Sequence, residues 1–199
     1  MNKSKLKIWE LSLLIALCVS LCAGTWAQAR HDSISASLVR LHVLAVSDDE
    51  NEQRIKLNVR DAVLEYISPY LENAETPDEA KRIISAKSVG IKSAAECAAE
   101  GRKVSVTLSE EYYPTREYDG FSLPAGRYDS LRVILGDGKG HNWWCVVFPP
   151  LCVDTSRQQA ALDAMSEDMR GIVAESDGYQ LKFRLVELWD EFMELVRGY

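Results

Sequence analysis

Gly140-His141-Asn142-Trp143-Trp144-Cys145-Val146-Val147-Phe148-Pro149-Pro150-Leu151-Cys152 decides how this chain folds. Trp, Val and Phe favour a pleated, packed surface, so the stretch predicts a buried strand. Proline cannot donate to a sheet ladder, so Pro149-Pro150 ends it. Neighbouring strand residues point to opposite faces. Trp143 and Trp144 are therefore both expected to be largely buried, one under helices and the other under a loop. Ser130 to Leu135 predicts another strand, and Gly136-Asp137-Gly138-Lys139-Gly140 the turn between them. The pair is expected to form an antiparallel hairpin. The Gly-rich turn leads into no helix, so it lacks the amide array of a phosphate loop.

Upstream, Ser37 to Ser47 predicts the first strand, with Val39, Leu41 and Val43 alternating with Arg40, His42 and Leu44. Ser47 with Glu50 fits a capping box, and Ile55, Val59, Val63 and Ile67 form a helical stripe that Pro69 is expected to end. Thr76, Pro77 and Glu79 mark a second helix start. Gly90 predicts a break in that helix, Ile91 to Ala99 its continuation and Gly101 its stop. Lys103 to Ser109 alternates as a half-buried strand. Glu110 to Asp129 is expected to be a long aromatic loop. Beyond the double proline, Ala160 to Met169 and Leu181 to Val196 show helical spacing. These elements give an α+β class: a small antiparallel sheet of about four strands packed with helices on one face.

The 199 residues suffice for one domain with a real core. A net charge of −7 and a pI of about 5.1 exclude nucleic acid as an expected partner, since phosphate binding draws on Lys and Arg. Lys3, Lys5 and Lys7, the apolar run Leu11 to Ala23 and Ala27-Gln28-Ala29 have the order of a secretory signal peptide cut after Ala29. The run is short for a spanning helix, which needs roughly 20 residues. The expected organisation is a signal peptide over 1–29 and one domain over 30–199. The exported part would keep Cys97, Cys145 and Cys152.

Three groups could carry chemistry. Cys145 with His42 or His141 could be a nucleophile and base, but a thiol between Trp144 and Val146 in a buried strand behaves as a small hydrophobe. Cys145 and Cys152 could instead form a disulfide, provided Pro149-Pro150 turns the chain back, since seven extended residues span about 23 Å. Asp48, Asp49, Glu50 and Glu52 could bind a cation, although helix N-termini attract acidic side chains anyway. No catalytic residue, metal ligand, cofactor or small-molecule substrate is assigned. In the Glu110–Asp129 loop, Arg116, Tyr118, Phe121 and Arg127 are the candidate receptor contacts, because Tyr and Arg carry interface energy disproportionately. The competing reading is a loop that only seals the core.

The chain resembles the stage II sporulation protein R family. The resemblance rests on Arg40-Leu41-His42-Val43-Leu44-Ala45-Val46-Ser47-Asp48, on Val59-Arg60-Asp61-Ala62-Val63, on Tyr113-Pro114-Thr115, and on Leu123 through Val133. Its most specific part is Gly136-x-Gly-x-Gly140 through Asn142-Trp143-Trp144-Cys145 and Phe148-Pro149-Pro150-Leu151-Cys152. It covers about residues 38 to 155. Val46 stands where the family pattern has Asn, which removes any polar role there. The resemblance implies a protein secreted from the forespore into the intermembrane space. Its implied partner is a membrane-embedded receptor protease, an aspartic protease of the mother-cell membrane, which then processes the sigma-E precursor. The chain itself would be no enzyme. The alternative is an exported hydrolase using Cys145 or the acidic cluster.

Overall fold

The computed structural model describes residues 3–118 and 121–150. The helices expected beyond Ala160 lie outside the described residues. The chain divides into two compact units, Met1–Ile34 and Ser35–Tyr199. Helix α1 (Lys3–Ala36) supplies the described part of the first. Leu11, Leu13, Leu14 and Leu17 on it are exposed. Among the described residues, no helix is long and apolar enough to cross a membrane.

The second unit has the expected α+β architecture. It runs β1 (Val39–Leu44), α2 (Glu50–Leu71), α3 (Pro77–Ala86), α4 (Ser88–Ala98), β2 (Val104–Tyr113), β3 (Arg116–Tyr118), β4 (Phe121–Leu123), β5 (Gly126–Leu135) and β6 (Asn142–Phe148). The main sheet has four strands in the order β2-β5-β1-β6, and β3 and β4 form a separate pair. β1 runs parallel to β5; the other neighbours are antiparallel.

One sheet face packs against the helices. Val39, Leu41, Val43, Leu131, Val133 and Leu135 meet Ile55, Val59, Val63, Ile67, Ile84 and Ile91 in one buried cluster. Alternation sends Arg40, His42, Ser130 and Trp144 to the other face.

Several local expectations change. β5 and β6 are not a hairpin, because β1 lies between them. Their connection crosses the end of β1, where the Gly140 amide donates to the Ala45 carbonyl at 3.0 Å. Gly136 and Gly138, at φ 56° and 62°, supply the left-handed turn that this crossing requires. Glu110 to Asp129 is not a loop. β2 and β5 extend into it, and its middle folds into the β3–β4 hairpin. Pro69 lies inside α2, two residues before its end. The break between α3 and α4 falls at Lys87, with Gly90 inside α4.

The start at Thr76 is as expected. Its hydroxyl accepts from the Glu79 amide at 3.2 Å, and Glu79 reaches back to the Glu75 amide. Ser47 does not cap α2. Its helix begins at Glu50 after Asp49, with no side-chain cap bond.

Trp143 and Trp144 occupy opposite faces as expected. Both are half-buried rather than largely buried, each with a guanidinium over its ring.

Candidate functional site

The sheet face turned away from α2, α3 and α4 carries a layer of polar and aromatic side chains under the β3–β4 hairpin. Sheet register builds it: Arg40 pairs with Ser130, and His42 with Arg132 on one side and Trp144 on the other. β2 adds Glu111 and Tyr113.

Glu111 is the hub. Both its carboxylate oxygens lie 2.9 Å from His42 Nδ1, so that nitrogen is a donor. The Ser130 hydroxyl donates to Glu111 at 3.2 Å. That commits its one proton, so Tyr113 donates to Ser130 across their 2.6 Å bond. Arg132 Nε lies 3.6 Å from the same carboxylate.

Arg40 is fully buried beside this network. Its guanidinium lies 4.0 Å from the Tyr113 ring centre, 5.0 Å from that of Tyr128 and 5.8 Å from that of Tyr118. Its Nη2 donates to the Tyr118 hydroxyl. Nε and Nη1 have no hydrogen-bond partner among the described residues. Tyr118 stacks on Phe121 at 4.7 Å, and the Tyr128 hydroxyl donates to the Pro124 carbonyl at 2.7 Å. The hairpin is thus held down at both ends.

Burial raises the pKa values of Tyr113, Tyr118 and Tyr128 above the usual phenol value, that of Tyr128 to about 12. The unfolded chain releases these protons near pH 10. The tyrosine contribution to stability is therefore full below pH 10 and falls as pH rises towards 12. Alkaline titration should show late phenolate absorbance in step with loss of the near-ultraviolet circular dichroism. Smooth ionisation of every tyrosine near pH 10 in a folded protein would contradict this.

The four expected contact residues separate. Arg116 is exposed, with its guanidinium 3.9 Å from the Trp144 ring centre. Tyr118 turns inward onto Arg40, and Phe121 is buried. Arg127 is exposed, 3.7 Å from the Glu110 carboxylate. Its place in the alternation puts it on the helix-bearing side of the sheet, with Asp129, which pairs with Lys81 of α3. The hairpin therefore groups Arg116, Tyr118 and Phe121, and not Arg127.

The proposed chemical pairs are not assembled. Cys145 belongs to the buried cluster on the helix side, whereas His42 is on the other face. Cys145 is disulfide-bonded and so offers no thiolate. Its expected partner Cys152 lies outside the described residues.

His141 is exposed and tied to Asp48, whose carboxylate accepts from its backbone amide at 2.6 Å and lies 2.7 Å from Nδ1. Lys56, its pKa lowered mainly by burial, donates to the His141 carbonyl. Glu52 pairs with Arg102 at 2.6 Å. The acidic helix start thus fastens the β5–β6 connection and α2. No group of three or more metal-ligating side chains occurs among the described residues.

The stage II sporulation protein R family matches residues 35–158, which span β1 to β6. A Bacillus subtilis (strain 168) protein named stage II sporulation protein R is 35% identical over 161 residues, 77% of this chain and 72% of that protein. This chain belongs to the stage II sporulation protein R family. No solved structure matches it. The family match takes in the buried Arg40–Glu111 layer and the hairpin above it, and it begins where the first compact unit ends.

Proposed function

We propose that this chain is a signal secreted from the forespore, and that it activates a membrane-embedded aspartic protease of the mother-cell membrane to process the sigma-E precursor. The family match across the whole described sheet carries this reading. The order of charged, apolar and small residues before Arg30 supports export.

The receptor contact lies on the hairpin side, centred on Arg116 and Trp144. A guanidinium on a half-buried indole is the kind of pair that anchors protein interfaces. Arg116 also lies exposed over that ring, with no carboxylate partner among the described residues. The hydrolase alternative gains no support from Cys145, given its disulfide.

Co-expression of the full chain with the membrane protease and the precursor tests the proposal. Precursor cleavage should require both the chain and its export segment. Cleavage that proceeds equally without the chain, or with it retained in the cytoplasm, would overturn it.

A further inference from the structure

Arg40 has more donors than the described residues use. A guanidinium carries five N–H donors in a planar fork. In the fully buried Arg40, one nitrogen is bonded to Tyr118, while Nε and Nη1 have no partner among the described residues. Among the described residues, no carboxylate pairs with it. Glu111, on the same sheet face, is committed to His42, Ser130 and Arg132. The three tyrosines around Arg40 offer only neutral ring faces and one hydroxyl. Buried guanidinium groups are ordinarily paired with an anion, because an uncompensated buried charge is costly.

The arrangement of the one bond made is informative. Nη2 belongs to both two-pronged edges of the fork, one shared with Nε and the other with Nη1. The Tyr118 hydroxyl sits on that shared nitrogen and is a single acceptor. A carboxylate in its place would take two parallel N–H bonds from either edge. Tyr118 belongs to β3, three residues long and paired only with β4 among the described strands, so few backbone bonds hold the hairpin against displacement.

We infer that Arg40 is a latent carboxylate-binding site, occupied by Tyr118 in the free protein and completed by an acidic side chain of the receptor when the β3–β4 hairpin is displaced. Only the owner of that carboxylate rests on the signalling reading; the site itself does not.

Acetate serves as the probe. Thermal unfolding of the full chain is measured in sodium acetate against sodium chloride at matched ionic strength. Acetate should raise the midpoint saturably for the wild type and leave Arg40→Met unmoved. No acetate-specific rise, or the same rise in Arg40→Met, would overturn the site. Methionine fills the space without a charge, a change buried sites often tolerate. Should that variant fail to fold, Arg40→Lys keeps the charge without the fork and should bind acetate about tenfold more weakly; equal affinity would overturn the site. Tyr118→Phe removes the competing hydroxyl and should tighten acetate binding several-fold. A purely structural Arg40–Tyr118 bond predicts no tightening, and that result would also sink the proposal. Precursor cleavage then tests ownership. Arg40→Met should abolish it. A variant that loses acetate binding and signals normally would overturn the receptor as the source of the carboxylate, while failure of the wild type to signal leaves the acetate result standing.

Discussion

Leu41→Ala is expected to lower the unfolding free energy of the sheet unit by roughly 2–5 kcal/mol, the range for large-to-small changes in well-packed cores. Leu41 is fully buried in β1, between Leu131 of β5 and Cys145 of β6. Helices α2 to α4 close the same face, so the cavity left by truncation has strands on two sides and helices above it. Neither the flanking strands nor the helices can collapse into it without breaking register. Urea unfolding should give a lower midpoint with an unchanged slope. A loss below about 1 kcal/mol would mean that β1 is a peripheral strand, against the order β2-β5-β1-β6.

Gly140→Ala should cost roughly 1–3 kcal/mol by overpacking. A methyl group at that position would lie 2.3 Å from the Ser47 carbonyl oxygen and 2.9 Å from Ala45 Cβ. The first neighbour is backbone, so no side-chain rotation relieves the clash. The segment is also pinned by the Gly140 amide bond to Ala45 and by the two contacts of Asp48 with His141. Thermal unfolding should shift downward, and a crystal structure of the variant should show the β5–β6 connection moved off the end of β1. An unchanged melting temperature would contradict the close crossing.

The same crossing marks where the sequence stops being informative. A Gly-rich turn between two apolar strands looks alike whether the strands pair or another strand slips between them. Only Gly140 against Ser47 distinguishes the two, and that contact joins residues far apart in the chain. The stripe of α2, the start at Thr76 and the alternation of β1 were legible because each is a local pattern. The extension of β2 through Glu110 to Tyr113 was not. Alternation assumes one apolar and one solvated face, whereas here the second face is covered by the hairpin and holds Glu111 and Tyr113 in a polar network.

Of the residues expected as contacts, Arg116 is exposed as its type suggests, and Phe121 is buried in packing. Arg40 went unmarked as a site residue because an arginine alternating with Val39 and Leu41 ordinarily points to solvent. Around its guanidinium stand Tyr113 of β2, Tyr128 of β5 and Tyr118 of β3, and the local sequence of β1 gives no sign of them.

The two tryptophans provide a matched comparison across the sheet. Arg116 stacks on Trp144 on the hairpin side, at 3.9 Å, and Arg60 on Trp143 on the helix side, at 4.4 Å. Precursor cleavage by Arg116→Ala and Arg60→Ala, each checked by thermal unfolding, tests most directly whether the receptor reads the hairpin side. The account predicts that Arg116→Ala keeps its fold and loses cleavage on the order of tenfold, equivalent to a contact of about 1.4 kcal/mol, while Arg60→Ala signals like the wild type. Normal signalling by Arg116→Ala, or a larger loss from a folded Arg60→Ala, would contradict it.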